Sequence, residues 1–261
     1  MMDLQLTGKT AVVCGSTQGI GHAAAVELAD LGANVILLAR NAEALQRVLE
    51  TLPRSDDQVH RCLVADFAKP DEVRAVAEEV AAQPCEILVN NTGGPPGGPA
   101  IDAEVSQYEQ AFRLHLVANQ LLTQTLVPGM KSLHYGRIIN VISTSVKQPI
   151  VGLGVSNTIR GAVASWAKTL ATELGPFGIT VNNVLPGFTD TARLHTIIEQ
   201  RAAKTGLSES EVADRMRDSV PAQRFGEAAE VGGAIAFLAT PAAGYINGIN
   251  LPIDGGRTTC L

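Results

Sequence analysis

The sequence lacks the features that mark several large classes of protein. It contains no run of about eighteen apolar residues, so we expect no membrane-spanning helix. Residues 1–9 are polar and have no apolar core of signal-peptide length. A formal net charge of −6 does not favour a nucleic-acid surface, which requires a basic stripe. We therefore expect neither a membrane nor a nucleic acid as a partner.

Cysteines are few and scattered. The four of them, at positions 14, 62, 85 and 260, show neither a CxxC spacing nor a Cys/His pattern. Zinc sites and disulfide frameworks depend on such spacings. The sequence therefore predicts no metal site, and it predicts reduced thiols in a cytoplasmic protein.

What the sequence does contain is an alternation of short β-branched runs with longer helical segments, which is typical of a parallel sheet covered on both faces. No linker of low complexity and no repeat interrupts it, so we predict one domain over residues 1–261. Long helices are predicted at 102–130 and 155–174. The predicted strands span residues 10–14, 34–39, 59–65, 86–90, 137–142, 179–185 and 249–252.

A charged helical segment at residues 189–223 departs from this alternation. It follows the sixth predicted strand and includes Pro221. An insertion after the carboxyl end of a strand is well placed to close over a crevice, which makes 189–223 a candidate substrate lid. A solvated pair of surface helices is an equally good interpretation.

A glycine-rich turn follows the first strand and opens the first helix, with the spacing GxxxGxG over residues 15–21. Glycines permit a tight turn and let backbone amides approach a pyrophosphate, and a helix N-terminus supplies partial positive charge. Glycine-rich turns are common, but one between strand one and helix one strongly indicates dinucleotide binding. The predicted contacts are Gly15, Ser16, Gln18, Gly19, Ile20 and Gly21.

Five blocks of sequence resemble the motifs of the short-chain dehydrogenase/reductase family, in the family's order. They are the glycine turn, Asn90-Asn91-Thr92-Gly93, residues 137–143 ending in Ser143, Pro186-Gly187 with Thr189, and a C-terminal pair at 245–248 and 254–256. The resemblance implies a three-layer α/β/α Rossmann fold with a doubly wound, seven-stranded parallel sheet. It also implies a homo-oligomer, either a tetramer or a dimer.

The resemblance also assigns cofactor contacts outside the glycine turn. These are Asn91, Pro186, Gly187 and Thr189, together with an adenine contact from the Asp66 carboxylate and the Phe67 backbone amide. At the end of the second strand an acid would bind the ribose 2′-hydroxyl, and an arginine would suit a 2′-phosphate. Arg40 stands there, which favours NADP(H) over NAD(H). Alternatively, Arg40 only begins the next helix.

The catalytic positions implied by the resemblance are largely replaced. Ser143 matches the family's serine, but the tyrosine and the lysine four residues beyond it are Ser156 and Arg160. A serine hydroxyl is a far weaker acid than a phenol, and an arginine keeps its charge at any working pH. Arg160 could still bridge the nicotinamide ribose hydroxyls and hold the cofactor.

A fourth family position, usually an asparagine, is His115. Histidine titrates near neutrality, so His115 could replace the missing acid directly or through water. The alternative is a packed core histidine.

The segments 156–160 and 91–100 resemble a subgroup of β-ketoacyl-carrier-protein reductases with imperfect motifs. The leading hypothesis is an NADP(H)-dependent oxidoreductase of a carbonyl or secondary alcohol, with altered proton chemistry and a moderately apolar small-molecule substrate. The other hypotheses are a catalytically silent dinucleotide-binding sensor or scaffold, and a different reaction such as elimination or hydration. Fold alone does not separate these hypotheses.

Overall fold

The computed structural model describes residues 2–55 and 57–260. Short β-branched runs form strands, and seven of them assemble into one parallel sheet in the order β3-β2-β1-β4-β5-β6-β9. The strands are β1 (Thr10–Cys14), β2 (Asn34–Ala39), β3 (Arg61–Val64), β4 (Ile87–Asn90), β5 (Gly136–Val141), β6 (Ile179–Pro186), β7 (Thr189–Asp190), β8 (Gly226–Glu227) and β9 (Asn250–Ile253).

Helices connect the strands and cover both faces of the sheet. They are α1 (Gly19–Asp30), α2 (Ala42–Thr51), α3 (Pro70–Ala81), α4 (Val105–Phe112), α5 (Ala118–Leu133), α6 (Gly154–Leu174), α7 (Ala192–Thr205), α8 (Glu209–Asp218) and α9 (Ala228–Ala239). Local signals begin several of them: Asn41 accepts a hydrogen bond from the backbone N–H of Ala44 at the start of α2, and Pro70 opens α3.

Two hydrophobic cores lie on opposite faces of the sheet, because successive strand residues point to opposite sides. One core contains Val13 and Ile139 and packs against α1, α2 and α9. The other contains Val12 and Ile138 and packs against α3, α5 and α6. The predicted three-layer α/β/α Rossmann fold with a doubly wound, seven-stranded parallel sheet is confirmed. The predicted strand boundaries agree with the observed ones to within two residues.

The helix predicted at residues 102–130 is divided. A short 3-10 turn, Ala100–Asp102, precedes α4, and a π-helical turn, Arg113–Val117, joins α4 to α5. The apolar periodicity of a sequence does not change at a single π turn, so the prediction of one helix missed it. Such turns occur often at functional sites. This one contains His115.

Two further elements were absent from the prediction. Helix α9 packs closely on α1, since a Cβ on Gly232 would lie 2.8 Å from the backbone carbon of Ala23. The two-residue strands β7 and β8 pair in parallel, with Thr189 opposite Gly226 and Asp190 opposite Glu227. These strands bring together the two ends of the charged segment that contains α7 and α8.

A row of asparagine side chains crosses four neighbouring strands in register. Asn90 donates to Asn140 at 2.9 Å, Asn140 donates to Asn183 at 2.9 Å, and Asn183 donates to Asn250 at 2.8 Å. The first three side chains are buried, so each amide depends on its neighbour for a partner. We call this row the asparagine ladder.

Within the described ranges, no helix has the length and apolar character needed to cross a membrane. The same residues contain no group of three or more His, Cys, Asp or Glu side chains that could hold a metal ion. Cys14 and Cys85 are buried, and burial raises the pKa of each thiol to about 12. Both thiols are therefore protonated at neutral pH and chemically inert.

Replacing Asn140 by alanine should destabilise the fold strongly, because it leaves the Asn90 amide without an acceptor and the Asn183 carbonyl without a donor. We expect the free energy of unfolding to fall by about 2–4 kcal/mol in urea denaturation. Asn250→Ala removes only the hydrogen bond from Asn183 to Asn250, at a partly exposed position. It should lower the free energy of unfolding by about 1 kcal/mol. Equal losses in the two variants would contradict a central role for the ladder.

Candidate functional site

The predicted site residues gather at one edge of the sheet. The glycine turn follows β1, Asn91 follows β4, Ser143 lies two residues beyond β5, and Gly187 follows β6. Carboxyl ends of parallel strands share an edge, and in open α/β sheets ligands bind outside that edge. The topology therefore brings together residues that are far apart in the sequence.

The glycine turn after β1 has no room for side chains. Gly15 and Gly19 have φ values of +60° and +55°, in the left-handed region that glycine adopts without strain. A Cβ on Gly21 would lie 2.2 Å from the carbonyl oxygen of Gly15, a distance that no side chain tolerates. The turn is therefore a bare backbone surface at the start of α1, with Ile20 packed against the core.

Two side chains hold this turn in place. The Asn91 amide lies 3.3 Å from the carbonyl oxygens of both Cys14 and Gly15 and donates to them. The Ser16 hydroxyl is buried and accepts from the backbone N–H of Leu38 in β2 at 3.1 Å. Ser16 therefore fastens the turn to the neighbouring strand, which leaves its backbone as the part available to a ligand.

The N-terminus of α1 suits a pyrophosphate. Gln18 occupies the N-cap position with an extended backbone, and no side chain caps the helix. The first amide N–H groups of a helix need external acceptors, and phosphate oxygens are good ones. The bare glycine turn and the uncapped helix thus fit the phosphates of a dinucleotide.

The positions predicted to contact the adenosine half differ in their surroundings. Arg40 is exposed immediately after β2. Asp66 is half-buried, and one of its carboxylate oxygens accepts from the backbone N–H of Ala68 at 2.9 Å. The Phe67 side chain packs into the core below α3. The Asp66 carboxylate thus orders its own turn beyond β3, and its adenine contact remains a prediction.

The turn after β6 is held by the C-terminal part of the chain. The Gly187 N–H donates to the carbonyl of Ile253 at 2.9 Å, and a Cβ on Gly187 would lie 2.6 Å from the Cβ of Asp254. Thr189 is buried, and its hydroxyl lies 3.5 Å from the Gly187 carbonyl. Pro186 ends β6 directly before this turn. The close packing fixes the strand end at which a nicotinamide ring would lie.

The two serines predicted to be catalytic lie at the ends of different elements. Ser143 caps a short 3-10 turn, Thr144–Val146, and its hydroxyl accepts from the backbone N–H of Ser145 at 3.1 Å. Its own hydroxyl proton therefore remains available to a ligand oxygen. Ser156 is half-buried in the first turn of α6.

Arg160 is a buried cation. Its side chain is 8% exposed, and its Nη1 donates to the carbonyl oxygen of Val141 at 2.8 Å. Burial, and next the charge of Arg193, lower the pKa of the guanidinium to about 10, so Arg160 stays charged at neutral pH. The ion pairs formed by the described residues do not include it.

His115 does not titrate near neutrality. Its ring is 2% exposed, with Nδ1 2.6 Å from the hydroxyl oxygen of Thr92 and with Nε2 lacking a partner among the described residues. Burial, and second the positive charge of Arg160, lower the pKa of the imidazole to about 2. The burial and the low pKa favour the second interpretation of His115, a packed core histidine with a neutral ring, and its catalytic role stays a prediction.

Sequence reasoning missed Arg193, on the first turn of α7. Its Nη2 donates to the carbonyl oxygen of Pro95 at 3.1 Å, in the proline-rich loop after β4. Nearby, the Thr191 methyl group lies 3.2 Å from where a Cβ on Gly19 would stand. In the sequence Arg193 is one charge among many in its segment, and nothing there distinguished it from the others.

The charged segment 189–223 forms a small unit of its own. Leu194 and Ile198 of α7 pack against Val212 and Met216 of α8. Arg193 bonds the start of α7 to the proline-rich loop, and Thr191 places it beside Gly19 of the glycine turn. That position is compatible with the predicted substrate lid, which stays a prediction.

The fold and the glycine turn define a class: a doubly wound α/β protein with a dinucleotide-type crevice at the carboxyl edge of its sheet. The sequence matches the family described as enoyl-(acyl carrier protein) reductase over residues 15–258. The chain belongs to this family of short-chain dehydrogenases/reductases, as its five motif blocks predicted.

Relatives match along nearly their whole length. The chain is 28% identical to the NADPH-dependent reductase BacG of Bacillus subtilis, with 96% of this chain and 98% of the relative covered. It is 31% identical to the 3-oxoacyl-(acyl-carrier-protein) reductase FabG of Pseudomonas aeruginosa, with 97% and 98% covered. The solved structure of L-sorbose reductase from Gluconobacter frateurii, complexed with NADPH and L-sorbose, superposes with a TM-score of 0.93 at 30% identity and full coverage of both chains.

The buried neutral state of His115 should make the fold sensitive to mild acid. Below a pH of about 6.5 the unfolded chain takes up a proton at this histidine and the folded chain does not. The free energy of unfolding should then fall by about 1.4 kcal/mol per pH unit between pH 6.5 and pH 4.5. Urea denaturation across this window measures the slope.

His115→Gln should flatten that slope, because glutamine does not titrate and can still bond to Thr92. His134→Asn replaces an exposed histidine and is the control, in which the slope should stay the same. An unchanged slope in His115→Gln would show that His115 takes up its proton at the same pH in the folded and the unfolded chain.

Proposed function

We propose that this protein is an NADP(H)-dependent oxidoreductase that acts on a carbonyl or secondary alcohol, similar to a 3-oxoacyl reductase, with non-standard catalytic residues. The observation that carries this proposal is the dinucleotide cradle, which consists of the bare glycine turn, the Asn91 amide that holds this turn, and the uncapped start of α1. Reductase names among its relatives support the same reaction class.

Arg40 supports NADP(H) as the cofactor. The side chain is exposed at the end of β2 and forms no ion pair with any described residue. A guanidinium there can bind a 2′-phosphate through two parallel hydrogen bonds. BacG is named as NADPH-dependent, and the L-sorbose reductase structure contains NADPH. We propose that the residues which contact this cofactor are the ones predicted from the motifs in the sequence.

In this proposal the bound nicotinamide would supply or accept the hydride. The residues of the chain stabilise the negative charge that develops on the carbonyl oxygen. The Ser143 hydroxyl donates a hydrogen bond to that oxygen and keeps its proton. Arg160 supplies a fixed positive charge that favours a developing alkoxide. Arg160 stays charged and His115 stays neutral between pH 5 and pH 9, so neither supplies the proton. In this proposal the proton comes from a water molecule at the crevice, and the Ser156 hydroxyl hydrogen-bonds that water.

A second candidate is a catalytically silent dinucleotide-binding protein that acts as a sensor or scaffold. Three observations favour it: a serine at the tyrosine position, an arginine at the lysine position, and a histidine that burial keeps neutral. Such a protein would bind the cofactor as tightly as an active one. Only turnover separates the two candidates.

We further propose a cytoplasmic homo-oligomer, either a tetramer or a dimer, assembled through α5 and α6. Both helices are long and lie on the same side of the sheet. A surface cavity of about 510 Å³ separates them. Apolar side chains, amides, a hydroxyl and one lysine line it: Gln120, Thr123, Gln124, Val127, Pro128, Lys131, Leu170 and Leu174.

Calorimetric titration with NADPH, NADP, NADH and NAD tests the cofactor proposal. NADPH should bind with the highest affinity, and Arg40→Glu should weaken it about ten- to a hundredfold while leaving NADH almost unchanged, since a carboxylate repels only the 2′-phosphate. Arg47→Glu places the same charge change on the exposed surface of α2 and should have little effect. If none of the four dinucleotides binds, the oxidoreductase proposal is wrong.

Turnover is tested with a panel of ketones, aldehydes and 3-oxoacyl thioesters, by following NADPH absorbance. For any active substrate, Ser143→Ala should lower kcat/KM about 10²- to 10³-fold while NADPH affinity stays constant, because the hydroxyl acts on the carbonyl oxygen. Ser132→Ala removes an exposed hydroxyl at the end of α5 and is the matched control. Tight NADPH binding with no turnover on any member of the panel would favour the silent candidate.

A further inference from the structure

Two arginines from different helices approach neighbouring residues of the proline-rich loop after β4. Arg193 of α7 donates to the Pro95 carbonyl oxygen at 3.1 Å. A Cβ on the adjacent Gly94 would lie 3.8 Å from Nη2 of Arg160, which belongs to α6. The two guanidinium groups therefore approach the same loop from different helices, and they are close enough for the charge of Arg193 to act on Arg160. Neither the glycine turn nor Arg40 contributes to this cluster.

No negative charge balances the two cations. Across residues 2–55 and 57–260, no carboxylate lies within ion-pair distance of either arginine. Arg160 makes a single hydrogen bond, to Val141, although a guanidinium carries five N–H donors. His115 beside it is neutral and supplies no counter-charge. A buried, unbalanced cation is costly to the fold, and a bound anion would offset that cost.

We propose that Arg160 and Arg193 form a subsite for a carboxylate of the substrate. The planar fork of a guanidinium matches a carboxylate through two parallel hydrogen bonds. Arg160 is fixed within the base of the crevice, whereas Arg193 is exposed on the first turn of the lid segment. A carboxylate held between them would join the lid segment to the sheet.

The proposal deepens the proposed function and rests on it for the reaction. The substrate would be an oxo acid, whose carbonyl takes up a hydride and a proton to give the hydroxy acid. A phosphate of the cofactor is the other possible anion. The phosphate cradle, however, follows β1, whereas Arg160 is bonded to the end of β5 and lies near Gly94 beyond β4. This separation favours the substrate as the source.

The test uses three oxo acids with increasing distance between carbonyl and carboxylate, namely pyruvate, acetoacetate and levulinate, each paired with its neutral methyl ester. Protein saturated with NADP is titrated calorimetrically, because the oxidised cofactor prevents reduction. At least one acid should bind ten times or more tightly than its ester. Equal binding of acid and ester throughout the series would overturn the proposal.

Arg193→Gln should weaken the acid about tenfold and leave the ester unchanged. Because Arg193 is exposed, this variant is expected to fold. Arg201→Gln removes an exposed charge from the same helix and should behave like the unmodified protein. If Arg193→Gln weakens NADP as much as the acid, the anion is a cofactor phosphate and the proposal fails.

The same titrations on the cofactor-free protein separate this proposal from the proposed function. Should no dinucleotide bind, a preference for acid over ester that Arg193→Gln abolishes would still establish the carboxylate subsite. If dinucleotides bind and the acids do not, the oxidoreductase proposal stands and the subsite is refuted.

Discussion

The asparagine ladder is the interaction on which the geometry of the crevice depends. Buried amides require partners, and each ladder amide finds its partner only when β4, β5, β6 and β9 stand in one register. A slip of one residue would leave several of them unpaired. Asn91 and Gly187 follow these strands directly, and Ser143 follows closely, so the same register sets their positions around a ligand. The ladder thus makes remote parts of the chain meet at fixed distances.

The two halves of the crevice differ in their electrostatics. The half toward β1 and β2 presents backbone amides and one exposed arginine, the features expected of a dinucleotide cradle. The half toward β5 and α6 contains a fixed cation, Arg160, and a ring held neutral, His115. A tyrosine–lysine pair would move a proton there. In this chain the same place can stabilise negative charge but has no strong acid to deliver a proton.

Most of the fold followed from local pattern, because buried strands and amphipathic helices have distinct periods. The glycine turn and Ser143 followed from motifs. What could not be predicted depends on distant contacts: the π turn at His115, the pKa of that ring, and the contact between Arg193 and Pro95. Each arises from packing between elements that are far apart in the sequence, and a local sequence pattern does not predict such contacts. Helix α9 was missed although its sequence is strongly apolar.

The pairing of β7 with β8 makes the charged segment an insertion whose two ends lie side by side. Its two ends meet at Thr189 and Gly226, so the 191–225 stretch leaves and re-enters the fold at nearly one point. Insertions at such points disturb the rest of a domain little. A different pair of helices could be exchanged into this position while the sheet, its ladder and the cofactor cradle stayed intact. The charged segment can therefore vary in sequence and length independently of the strands that carry the glycine turn.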